Sequence, residues 1–137
     1  MKITILQRPI FHTDWNKQWL YCTTNIASFR FDGIKIANCD IYHGNRMIGS
    51  VMHNTLTIYN GYAFDGMTNF PDSAANLPCA LLHDFLYQTA LVSRRDADLA
   101  LKACMDVQGA SYDALVFLGV RLFGWLHFGK EKGIRIV

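Results

Sequence analysis

Four side chains between positions 83 and 98 have the types and spacing of a proton-transfer site. His83, Asp84 and Tyr87 follow one another as H-D-x-x-Y, and Asp98 closes the run R-R-D-A-D. An imidazole titrates near pH ~6.5, so a neutral His83 can take a proton from water under ordinary conditions. A carboxylate on the other ring nitrogen would orient the ring and stabilise the imidazolium as it forms. With water as the attacking species no serine or cysteine nucleophile is required, and the chemistry would be a hydrolysis. Leu81, Leu82, Phe85, Leu86 and Leu91 surround the pair with apolar side chains. Ionisable groups placed there need partners. A structural polar network would gather the same residues, so both readings stand at this point.

For these groups to meet, the stretch from Cys79 to Cys104 must fold as two antiparallel helices around a break at Leu91-Val92-Ser93. Residues that face one another across such a pair have position numbers of nearly constant sum. His83 with Asp98, Tyr87 with Asp98 and Cys79 with Cys104 all satisfy this condition. Tyr87 lies one turn after His83 on the same face, while Asp84 is rotated by about 100° and aims at a neighbouring loop. Ser93 with Asp96 resembles a capping box in which Asp replaces the usual Glu. The first helix is expected from Asn76 or Leu77, with Pro78 tolerated in its first turn, to about Leu91. The second should run from Arg94 to Gln108, with Gly109 as its stop. Ser111 can cap a third helix from Tyr112 to about Phe128. Val116, Phe117, Leu118, Val120, Leu122, Phe123, Trp125 and Leu126 make it apolar on nearly every side. Core packing is the favoured role for such a helix, and self-association or contact with a lipid surface through Trp125, Arg121 and Lys130 are the alternatives.

The loop YNGYAFDGMTNFPDSAAN, residues 59–76, leads into the first helix. Its Gly, Asn, Asp and Pro content suits a plain connector. It also suits a cation or oxyanion loop, in which Gly61 and Gly66 allow close backbone approach and Asp65 adds a carboxylate. Residues 1–70 read as strands. KITIL at 2–6 and QWLYCT at 18–23 are strand candidates, and residues 9–17 read as irregular. Asp32-Gly33, Gly44-Asn45 and Asn60-Gly61 each separate two runs in the manner of a hairpin turn. The tail EKGIRIV reads either as an edge strand or as a free end. The fold class is therefore α+β: N-terminal antiparallel β hairpins, then an antiparallel helix hairpin and a third apolar helix. One domain spans 1–137, mainly β over 1–70 and mainly α over 76–128.

Composition narrows the function classes. The chain has 137 residues, 51% hydrophobic and 18% charged, so a packed core is expected rather than disorder. A formal charge of +2 and the absence of a basic, aromatic-interleaved run argue against nucleic acid as a partner. MKITILQRPIFHTDW lacks the apolar core of a signal peptide, and no run of about 18 apolar residues suggests a spanning helix. Cys22, Cys39, Cys79 and Cys104 contain no C-x-x-C and are not spaced as a zinc site. His12, His43 and His53 stand apart from other ligand types and read as surface or strand-edge residues.

Two resemblances attach to these motifs. F-D-G-M-T-x-x-P, A-L-L-H-D-F-L-Y, S-R-R-D-A-D-L-A-L and V-R-L-F-G-W, in that order, resemble a family of small proteins of unknown function found largely in bacteriophages and prophages. That implies phage origin, with host cytoplasm or virion as the setting, and other phage proteins as partners. H-D-x-x-Y with an Asp on an antiparallel helix is similar to secreted phospholipase A2 and to the phospholipase domain of parvovirus capsids. This second resemblance implies that His83 is the general base, that Tyr87 and Asp98 orient it, and that Asp84 binds Ca2+. It further implies a phospholipid substrate at a membrane surface and a helix-to-helix disulfide between Cys79 and Cys104. The Gly-rich loop Y-G-x-x-C-G-x-G-G of those enzymes is here Y-N-G-Y-A-F-D-G-M, and the connection between the helices is shorter.

The expected activity implied by this resemblance is a phospholipase A2-like, calcium-dependent ester hydrolysis. Asp84, Asp65 and loop backbone near Gly61 and Gly66 would hold the cation. The competing expectation is a phage virion or assembly component in which His83, Tyr87 and Asp98 fix helix register. A cell-wall metal hydrolase using His83, Asp84, Asp98 and Asp65 ranks third, since a single histidine is a poor zinc set.

Overall fold

Alternation of apolar and polar residues builds the first half of the chain into two sheets, and a helical layer covers one of them. The computed structural model describes residues 1–13, 21–64, 76–109, 113–124 and 127–137. The strands are β1 (Lys2–Gln7), β2 (Phe11–Thr13), β3 (Tyr21–Thr23), β4 (Ala27–Asp32), β5 (Cys39–His43), β6 (Arg46–Met52), β7 (Thr55–Ile58), β8 (Ala63–Phe64) and β9 (Ile134–Ile136). The helices are α1 (Leu77–Thr89), α2 (Arg94–Gln108) and α3 (Asp113–Phe123). Six strands form one sheet in the order β1-β4-β7-β6-β5-β9, and three form a second in the order β2-β3-β8. Every described pairing is antiparallel. The fold is α+β.

The larger sheet is one-sided. Ile3 pairs with Phe31, Phe29 with Leu56, Ala27 with Ile58 and Ile41 with Gly49. The side chains of this set are buried. On the opposite face the same ladders bring Ser28 to Thr57, with their hydroxyls 3.4 Å apart. Such alternation leaves one face for the helices to cover. Gly49 lets α1 come close: a Cβ there would lie 2.8 Å from the Phe85 ring. Helix α2 packs against both α1 and β1, which fixes the hairpin over the sheet.

Several expected turns form differently. Gly44-Asn45 does join β5 to β6. Asp32-Gly33 makes no hairpin, because β4 is already paired with β1 on one side and β7 on the other. No edge is left for residues 34–37. Asn54 takes the place of a partner strand there: its Nδ2 donates to the Ile34 carbonyl at 2.7 Å, and its Oδ1 accepts from the Ile36 amide at 2.9 Å. Ile36 is buried nonetheless. The turn between β6 and β7 is His53-Asn54, with φ of 50° and 59°. This is the backbone sense that two-residue hairpins favour, and Asn tolerates it well. Asn60-Gly61 is no hairpin either. It carries the chain out of the larger sheet, so that β8 pairs with β3 in the smaller one. Part of the span read as irregular, Phe11–Thr13, is strand β2. Of the strand candidate at 18–23, Tyr21–Thr23 is strand and the remainder lies outside the described residues.

Helix α2 has the expected bounds, with the Ser93 Oγ accepting from the Asp96 amide at 3.1 Å and Gly109 in the left-handed region. Helix α1 stops two residues earlier than expected, at Thr89. Its last carbonyls are taken by a later segment: the Gly129 amide donates to Tyr87 at 3.2 Å and the Glu131 amide to Gln88 at 2.8 Å. Helix α3 ends at Phe123 rather than near Phe128, and the Ser111 cap lies outside the described residues. Val116 is buried, but Leu122 and Phe123 are 56% and 66% exposed, so core packing does not hold for the end of this helix. The tail is an edge strand, and β9 therefore follows the helices instead of preceding them.

Candidate functional site

The hairpin of α1 and α2 brings His83, Tyr87 and Asp98 together. His83 Nε2 lies 3.0 Å from Asp98 Oδ1, and the Tyr87 hydroxyl donates to that same oxygen at 2.5 Å. The His83 and Tyr87 rings have centroids 4.0 Å apart, as residues one helical turn apart on one face should. Asp98 has no exposed surface, Tyr87 is buried, and His83 keeps 8% of its surface. Phe128 packs edge-on against Tyr87, and Gly124 leaves room for the Tyr87 hydroxyl, which a Cβ at that position would overlap.

Two arginines that the sequence reading did not assign complete the cluster. Arg121 of α3 donates from Nη1 to Asp98 Oδ2 at 3.1 Å. Arg94, one turn before Asp98 on α2, stands 3.9 Å from that oxygen. Its guanidinium is spent mainly on the last turn of α3, donating to the carbonyls of Val120 at 3.0 Å and Arg121 at 3.3 Å. The spacing of Arg94 to Asp98 was a legible signal. For Arg121 the signal was a cation late in a largely apolar helix, which requires a partner but does not name it.

The electrostatics follow from this geometry. Burial pushes His83 below the ordinary imidazole value, against the pull of the Asp98 hydrogen bond and charge. Burial works to raise Asp98, but hydrogen bonds from His83 and Tyr87, the His83 charge and the Arg121 hydrogen bond outweigh it and bring Asp98 below the usual carboxylate value. Burial and the Asp98 carboxylate push the Tyr87 phenol well up. Near neutral pH the site therefore holds a neutral imidazole against an ionised carboxylate. An ionised carboxylate only accepts hydrogen bonds, so the ring proton sits on Nε2 and the Nδ1 lone pair is left over. Among the described residues no group bonds Nδ1.

These shifts make a pH prediction. A folded-state value below the unfolded one means that stability is present above the unfolded value and lost as pH falls through the folded value. For His83 the loss begins below its ordinary 6.5, and for Asp98 below its ordinary 3.8. The thermal midpoint should fall steadily from pH 7 to pH 4 and more steeply below. Melting curves across that range check it, and a midpoint that is flat or rises on acidification would contradict it.

Of the expected calcium residues, Asp84 and Gly61 are among those the structure describes. Asp84 is half-buried on α1, one turn before Gln88, which accepts a hydrogen bond from the Tyr62 hydroxyl. Asp65 and Gly66 lie outside the described residues. Gly61 abuts the Arg46 guanidinium, and Arg46 Nη2 donates to the Asn60 carbonyl at 2.7 Å. A cation in contact with Gly61 and bonded to its neighbour's carbonyl is a poor setting for calcium, which needs free oxygens. Among the described residues no three His, Cys, Asp or Glu side chains gather as a metal set. Among the described residues the calcium set is not assembled, and no step of the reaction is derived through the ion. The sheet register also sets His12 opposite Cys22, a pairing their sequence separation conceals.

Cys79 and Cys104 form a disulfide, with Cα atoms 5.5 Å apart, joining α1 to α2 one turn from His83. Cys22 and Cys39 are free. No helix of the described residues is long and apolar enough to cross a membrane. Comparison with known protein families, curated proteins and solved structures finds no match for this chain.

Proposed function

We propose that this chain is a phage-encoded, phospholipase A2-like ester hydrolase in which His83 activates water. The observation that carries the reading is the buried pair itself: His83 Nε2 lies 3.0 Å from the Asp98 carboxylate, while no described residue bonds Nδ1. Nδ1 takes a proton from water as the oxygen attacks the ester carbonyl. The imidazolium that results is stabilised by ionised Asp98, and its proton then passes to the departing alkoxide, leaving a carboxylic acid and an alcohol. Tyr87 holds the carboxylate in place and transfers no proton, since its phenol stays protonated. The test is release of fatty acid from phospholipid vesicles by the purified protein, with calcium and with chelator, beside His83→Ala. Activity should fall by a factor of at least ~10² in the variant, the scale of losing a general base. A folded His83→Ala protein that hydrolyses at the parent rate rules the reading out.

A second reading has its own support. Asp98 is fully buried and receives groups from all three helices, as a structural keystone would. Leu122 and Phe123 also give the end of α3 an apolar surface for self-association. On this reading the protein is a virion or assembly component. Particle association and a size larger than one chain in light scattering would favour it, and a small monomer absent from particles would count against it.

A further inference from the structure

We propose that Arg121 is a positioning residue for His83, acting through Asp98, and that the last turn of α3 is therefore part of the site. Asp98 has two oxygens and one rotatable bond that could exchange them. Oδ1 receives His83 and Tyr87, whereas the described direct hydrogen bond to Oδ2 comes from Arg121 at 3.1 Å. Without that bond the buried carboxylate is free to turn toward Arg94, the next nearest cation at 3.9 Å, and away from the imidazole. Arg121 is itself held in place. Arg94 bonds the carbonyls of Val120 and Arg121, so one guanidinium anchors the backbone from which the other reaches. The line of force runs from Arg94 to the α3 backbone, then through the Arg121 side chain to Asp98 and the ring.

Arg121 is also the most accessible member of the cluster. Its side chain is 33% accessible against none for Asp98, and its neighbours Leu122 and Phe123 face outward. Whatever engages the end of α3 thus touches the residue that fixes the carboxylate. This deepens the reading of His83 as a base, and it is testable whether or not the protein hydrolyses an ester.

The test is proton and nitrogen NMR of the histidine rings. In the parent protein the His83 Nε2–H should give a protected downfield resonance, and the ring nitrogens should report a single Nε2–H tautomer. In Arg121→Gln the resonance should weaken or vanish and the tautomer become mixed, while Arg121→Lys, which keeps a donor and the charge, should retain both features. A folded Arg121→Gln protein with the parent spectrum overturns the proposal. If Arg121→Gln fails to fold, Arg121→Lys decides: the resonance kept supports the proposal, and its loss in a folded protein overturns it. Absence of hydrolysis in the parent protein, with this pattern intact, would count against the hydrolase reading alone.

Discussion

Asp98→Asn should cost the protein about 3–5 kcal/mol of stability, the scale of breaking one partner out of a buried ion-paired network. The substitution keeps the shape of the side chain and removes its charge. One oxygen remains for His83 and Tyr87, but an amide NH2 replaces the atom that accepts from Arg121. Donor then faces donor in a place where Asp98 has no exposed surface. The groups that lose their acceptor are Arg121 of α3 and Arg94 of α2, so the loss falls on the packing of α3 against α2. A chain of this size should melt lower by on the order of 10 °C. Thermal melts of the two proteins at pH 7 measure the difference, and a variant within two or so degrees of the parent would show that the network contributes little.

The disulfide should carry the second large effect. Cys79 and Cys104 are separated by 25 positions and both are fully buried. Closing a loop of that length lowers the entropy of the unfolded chain by an amount worth about 3–4 kcal/mol near room temperature. The double substitution to alanine should lose that contribution, plus a smaller term for the cavity left by two sulfurs. Denaturant unfolding of parent and variant gives the difference. Mass spectrometry without reduction should find two alkylatable thiols, at Cys22 and Cys39, and a linked peptide pair from the hairpin. Four alkylatable thiols in the native, unreduced protein would deny the crosslink, and equal stability of parent and double variant would deny its weight. Removing the disulfide should also loosen the register of α1 on α2, because Cys79 lies one turn before His83. Hydrolysis, if present, would then suffer along with stability.

The helix hairpin was legible because everything that specifies it is local. The apolar spacing, Ser93, Gly109 and the near-constant sums of facing positions all lie within one stretch of the chain. His83, Tyr87 and Asp98 meet as that spacing requires. Arg121 was not legible in the same sense, because its partner depends on how α3 lies across α2, which no local pattern states. The sheet divides along the same line. Gly44-Asn45 works as a turn since its two strands are neighbours in space. Asp32-Gly33 carries the same signal and fails because distant strands β1 and β7 have taken both edges of β4. His53-Asn54 went unseen because neither residue is glycine, although both adopt positive φ. Of the proposed cation set, Asp65 and Gly66 lie outside the described residues, and the position of Gly61 beside Arg46 arises where the chain crosses between two sheets.

Strand β9 has a consequence for the order in which the molecule can be made. It pairs with β5, and the segment before it bonds the end of α1. A ribosome releases β5 long before β9, with the entire helical layer in between. Until then β5 presents an open edge, and the last turn of α1 keeps bare carbonyls. Such long-range closure is slow and comes late in folding. Open strand edges invite pairing with other chains, and a charged residue at the edge is one protection against it. β5 carries Asp40, which is exposed. The nascent chain should thus pass through a state in which sheet and hairpin exist but are not yet fastened to one another at this corner, and the final strand acts as the latch.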